Sequence, residues 1–181
     1  MDMSHDAPRN WKWLRWAGWC GAVALVAAPL VLMKVAPETG FDWTAGDFVL
    51  AAVLIGSVGL LAELAVRASS NWPYRLGAAM AIGTGFLLIW SNLAVGYIGD
   101  GDAPINGMFL VLPILALLAA IVARGRAQAL ASIMAATGAA HAVTGIIGFP
   151  QDTRTGPITI LFVALWLASA ALFRNATKDR A

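Results

Sequence analysis

The sequence predicts an all-α protein, a polytopic membrane helix bundle with six transmembrane helices arranged as three helical hairpins. Three observations carry that prediction. Hydrophobic residues make up 60% of the 181-residue chain and charged residues 12%, which leaves too little polar surface to cover a soluble domain. The apolar residues form continuous blocks, and blocks of about 18 to 25 suit a hydrocarbon core of roughly 30 Å. The basic residues alternate between connections, as they do when successive loops lie on opposite sides of a bilayer. Backbone groups in lipid must be satisfied within their own segment, so the blocks are helices. The chain is expected to be a single transmembrane domain, 1–181.

The N-terminal segment, 1–16, is expected to lie along the membrane interface. Trp11, Trp13, Trp16 and Trp19 interleave with Arg9, Lys12 and Arg15, and aromatic rings with a polar edge settle at headgroup level. The same segment also suits binding of a partner. The first span falls at about 17–33. Its basic start and apolar run resemble a signal peptide. However, Lys34 ends the run late and Pro37 follows the best small-residue site, Val35-Ala36, so a retained helix is expected. Cys20, the single cysteine, cannot form an internal disulfide. Pro29 predicts a kink.

The second span, about 48–66, follows Gly46-Asp47-Phe48 and contains Gly56 and Gly59, which permit close helix contact. The third, about 76–98, carries Gly83, Thr84, Gly85 and Asn92, and the fourth, about 107–123, contains Pro113. The fifth, about 127–148, is dominated by Ala131, Ala135, Ala136, Gly138, Ala139, Ala140 and Ala142 around His141. Such small-residue helices pack in bundle centres. The sixth, about 158–173, leads into a cytoplasmic tail, 174–181.

Ten of the twelve Lys and Arg residues fall on one side of this arrangement. They are Arg9, Lys12 and Arg15; Arg67 and Arg75; Arg124 and Arg126; and Arg174, Lys178 and Arg180. The other side has only Lys34 and Arg154 beside Glu38, Asp42, Asp47, Asp100, Asp102 and Asp152. The positive-inside rule therefore makes both termini cytoplasmic. The expected partners are the lipid bilayer and anionic headgroups at the inner face, with room for a membrane-protein partner or a homo-oligomer. No nucleic-acid partner is expected.

An ungapped match at an offset of 49 relates Asn92-Leu-Ala-Val-Gly96-Tyr-Ile-Gly99 to His141-Ala-Val-Thr-Gly145-Ile-Ile-Gly148. After each comes a polar loop and then Pro104-Ile-Asn-Gly-Met-Phe109 or Pro157-Ile-Thr-Ile-Leu-Phe162. The spacing admits a parallel internal repeat, a feature of some transporters and of simple hairpin duplication.

Glu63, Asn92 and His141 form the candidate intramembrane polar site, because polar groups inside a span are costly and point to function. Each also has a structural reading. Glu63 precedes Arg67 by one helical turn, so an ion pair near the inner end is expected. Asn92 and His141 occupy equivalent repeat positions and equal depth, so a hydrogen bond between them is geometrically open. Glu63 and His141 lie too far apart in depth to touch, by about half of a roughly 30 Å core. Ser57, Thr84, Thr137 and Thr144 could bridge them, but such hydroxyls more often bond their own helix backbone. The acids Asp42/Asp47 and Asp100/Asp102 suit exposed turns better than a cation site, since Asp-Gly-Asp is too short for a calcium loop.

No catalytic, cofactor or metal residues are expected. Bis-His haem ligation needs a second buried histidine, and the other one is His5 in the N-terminal segment. No zinc spacing, phosphate loop or nucleophile elbow occurs.

Phe41-Asp-Trp-Thr-Ala-Gly-Asp-Phe48, Glu63-Leu-Ala-Val-Arg67 and Trp90-Ser-Asn-Leu-Ala-Val-Gly-Tyr-Ile-Gly99 together resemble a family of small, uncharacterised bacterial multi-span inner-membrane proteins with no known activity. Its members carry a loop of the form G-S-E-D-N-P-A-N. Gly99, Asp102, Pro104 and Asn106 match that loop, while Asp100, Gly101, Ala103 and Ile105 depart from it. The resemblance implies a bacterial inner (plasma) membrane location. Two functional readings follow: a non-catalytic structural or accessory component, or a small-solute, proton or ion transporter or channel using Glu63, Asn92 and His141.

Overall fold

The computed structural model describes residues 12–39, 42–96, 98 and 103–178. The expectations for His5, Arg9, Trp11, Phe41, Tyr97, Gly99, Asp100, Asp102 and Arg180 lie outside these residues. Among the described residues all regular structure is helical: α1 (Lys12–Val35), a 3-10 turn (Pro37–Thr39), α2 (Ala45–Ala68), α3 (Trp72–Val95), α4 (Asn106–Val122), α5 (Ala127–Gly148) and α6 (Thr155–Lys178). Five of the six α-helices are long and apolar enough to cross a membrane, and α4 is an apolar helix of 17 residues. The chain is thus a helical protein of membrane-spanning character.

Helices α2, α3 and α6 begin three or four residues before their apolar blocks, whereas α5 matches its block and α4 differs from its own by one residue at each end. At α2 and α3 a polar cap sets the start. Thr44 and Asp47 form a capping box at the start of α2: the Thr44 N–H and hydroxyl donate to Asp47 Oδ2 at 2.7 and 2.8 Å, and the Asp47 N–H donates to Thr44 Oγ1 at 3.4 Å. Asn71 caps α3 by accepting from the Tyr74 N–H at 3.2 Å, with Pro73 in the first turn, where no N–H is missed. The third helix ends earlier than the expected residue 98. Gly96 takes φ 70°, donates to Asn92 O at 2.9 Å, and turns the chain out of the helix.

By internal contacts the chain divides into two compact units, residues 1–60 and 61–181. In the first, α1 and the leading part of α2 meet where the Trp19 indole lies on Gly59: a Cβ added there would stand 2.9 Å from the ring. In the second, the last turns of α2 join α3–α6. Its core is built from Tyr74, Leu88, Phe109, Phe162, Trp166 and Phe173.

Within the second unit the contacts fix two antiparallel hairpins. Gly85 meets Pro113 at mid-length, Asn92 bonds Asn106 at one end, and Tyr74 bonds Gly125 at the other, so α3 and α4 run in opposite directions. These contacts carry α4 from one end of α3 to the other, although it spans only about 26 Å. Along α5, Gly148, Gly145, His141 and Gly138 face Thr155, Thr159, Phe162 and Trp166 of α6 in turn, one helical turn per step. The α5–α6 and α3–α6 pairs are the most extensive contacts in the bundle.

Candidate functional site

Each of the three polar side chains has its own surroundings. Glu63 Oε2 accepts from Arg67 Nη2 at 3.1 Å, the i,i+4 pair expected from the sequence. Arg67 is exposed and Glu63 partly covered, so this is a pair at a helix end and not a buried charge. Beside it, Arg75 donates to Ser69 O at 2.8 Å and to Val66 O at 3.1 Å. Those carbonyls close α2, where a cation is favourable against the helix dipole.

Asn92 does not bond His141. Its Nδ2 donates to the backbone oxygen of Asn106 at 3.1 Å. The Asn106 amide in turn accepts from the Ile98 N–H at 3.0 Å and donates to Ile98 O at 3.1 Å. Asn106 thus satisfies both backbone groups of a buried residue that has left its helix, as a neighbouring strand would. The amide has the required donor and acceptor in one plane. Sequence reading noted Asn106 only as part of a motif. A polar residue opening an apolar span just after Pro104 was the available signal.

His141 is 0% exposed and lies between two phenyl rings. Phe109 of α4 meets it edge-on at 5.3 Å between centroids, and Phe162 of α6 stacks on it at 5.6 Å. Among the described residues neither Nδ1 nor Nε2 has a hydrogen-bond partner, which corrects the expected contact with Asn92. The reason is α4: its first turn occupies the space between the two residues, giving Asn92 a backbone acceptor and His141 an aromatic face. Thr155 Oγ1, Thr159 Oγ1 and Trp166 Nε1, all on α6, are also buried without partners.

The seam holding these groups is tightly closed. A Cβ at Gly138 would lie 3.2 Å from Trp166, and one at Gly145 would overlap the Thr159 side chain. Of the small residues around His141, Ala131 and Gly138 turn inward, whereas Ala136 and Ala139 are exposed. Thr84, Thr137 and Thr144 bond Met80 O, Ile133 O and Ala140 O, one turn back on their own helices. The protons of these hydroxyls are thus directed along their own helices and not between helices.

The structure does not join Glu63, Asn92 and His141 by hydrogen bonds into one site. Asn92 lies about 30 Å along α3 from its start, while Glu63 lies about 8 Å before the end of α2, which that start follows. Asp47 is engaged in the α2 cap, and Asp42 is exposed. Among the described residues no three His, Cys, Asp or Glu side chains gather as metal ligands. No family model matches the chain, and neither does any curated protein or solved structure.

Proposed function

We propose that this chain is a non-catalytic structural or accessory component of a bacterial inner membrane, crossing it six times with both termini in the cytoplasm. One observation carries this reading. The polar residues within the spans are used separately, Glu63 in a helix-end ion pair, Asn92 in a backbone lock and His141 in an aromatic sandwich. A conduit needs such groups along one hydrated path. The resemblance of the second to fourth spans to bacterial inner-membrane proteins supports the location. The one-sided Lys and Arg distribution supports the orientation.

Flux in proteoliposomes tests the role. Proton, ion and small-solute flux equal to that of empty vesicles is expected. Flux above that level which disappears in His141→Ala would overturn the accessory reading in favour of a conduit. That second reading draws on the unpartnered imidazole, a group retained at a cost in stability.

A further inference from the structure

Tyr74 gathers three separate parts of the chain at one end of the 61–181 unit. Its hydroxyl donates to Gly125 O at 2.9 Å, its ring meets Phe173 edge-on at 5.3 Å, and Gly125 also lies against Ala68. These contacts bring Arg75, Arg124, Arg126 and Arg174 to the same end, each one or two residues from a contact point. None of the four has a salt bridge among the described residues. The nearby carboxylate of Glu63 is taken by Arg67.

The α4–α5 turn is unusual within this end. Arg124 takes φ 51°, a conformation side chains rarely adopt, and Gly125 follows at φ 70°. Arg124 stands directly after the α4 C-cap, where a left-handed residue ends a helix. The following helix begins without a side-chain cap and without an acid in its first turn, although Arg126 stands at its N-cap. Leading into the turn, Leu115, Leu118 and Val122 align at i, i+3 and i+7 within a broader exposed apolar surface of α4 that also includes Ile114 and Ile121. Trp72 is exposed beside Arg75, whose guanidinium lies 6.0 Å from the ring.

We propose that Arg75, Arg124 and Arg126 form a binding site for one anionic phospholipid. Its phosphate is held at the basic end, and an acyl chain lies along Leu115, Leu118 and Val122. Arg75 and Arg126 each keep N–H groups beyond those bonded to Ser69 O, Val66 O and Ala123 O, and none of the three arginines pairs with a carboxylate among the described residues. This end therefore suits an anion, and guanidinium suits a phosphate in particular. The apolar stripe running into the turn selects a lipid over a soluble phosphate. The proposal rests on membrane embedding and is independent of the accessory role; the flux experiment tests that role separately.

The test is thermal unfolding of the full chain in a neutral detergent, with phosphatidylglycerol, phosphatidylcholine or inorganic phosphate added. Phosphatidylglycerol is expected to raise the Tm by about 2–4 °C, as a ligand that binds only the folded state does. Phosphatidylcholine and phosphate should not. Arg154→Gln, in the α5–α6 connection, should keep the shift, and Arg124→Gln/Arg126→Gln should lose it. Equal shifts with phosphatidylcholine, the same shift with phosphate alone, or an undiminished shift in the double variant would each overturn the proposal. If the double variant does not fold, Arg124→Gly serves instead. It suits the positive φ and should raise the lipid-free Tm while reducing the phosphatidylglycerol shift; a full shift would overturn the proposal.

Discussion

Asn106 and His141 show opposite uses of a polar side chain in an apolar interior. Asn106 bonds both backbone groups of Ile98 through its side chain and accepts from Asn92 through its backbone oxygen, which lets α3 stop short of the following loop. Asn106→Ala leaves the Ile98 N–H and C=O buried without partners, and a loss of roughly 2–4 kcal/mol is expected. Asn106→Asp should also destabilise, because it keeps the acceptor for the Ile98 N–H but loses the donor to Ile98 O. Thermal unfolding of both variants checks this, and a wild-type Tm for the aspartate variant would refute the two-way pairing. At His141 the expectation reverses. His141→Leu removes two unpartnered nitrogens from between Phe109 and Phe162, and should stabilise by roughly 1 kcal/mol or more. A lower Tm would mean that the imidazole gains a partner in the membrane.

The helices differ in how their glycines are used. At Gly145 the Thr159 side chain of α6 lies directly on the α5 backbone, in the place a Cβ would occupy. Gly145→Ala should cost about 1–3 kcal/mol through overpacking. Thr159→Ala in the same chain should recover only part of that loss, since the residue-159 Cβ would still lie 2.8 Å from the added methyl. Gly83 has open space around it. Gly83→Ala should therefore be neutral or stabilising by up to about 1 kcal/mol, reflecting helix propensity alone. Unfolding midpoints of the four chains check both statements, and equal costs at the two glycines would contradict the packing described. The short α4 shows that length does not decide whether a helix traverses the bundle. Contacts at Asn106 and at Gly125 hold it to opposite ends of α3.

On the scale of the whole molecule, the contacts around Tyr74 collect Arg67, Arg75, Arg124, Arg126 and Arg174 at one end, while Arg154 lies in the connection at the other end of the α5–α6 hairpin. The proposed topology places the arginine-rich end in the cytoplasm. A C-terminal reporter active only in the cytoplasm should be active, and one requiring export should be silent; the reverse pattern would invert the orientation. Arg67→Gln should change the stability by less than about 1 kcal/mol, because an i,i+4 ion pair with an exposed partner contributes only a few tenths. A large drop in Tm would show that the guanidinium has a further role.

The sequence by itself determined the helical, membrane-spanning class and the approximate course of six helices. Apolar block length and the need to satisfy backbone groups within a segment are local properties. The Glu63–Arg67 pair and the back-bonded threonines were legible for the same reason, since their partners lie one turn away on the same helix. Only the tertiary structure decided that Asn92 pairs with Asn106, that His141 lies between Phe109 and Phe162, and that Tyr74 holds the α4–α5 turn and α6 together. In each case the partner lies outside the residue's own helix. Equal depth in the membrane left the order of helices around the bundle open, and it was the placement of α4 that separated Asn92 from His141.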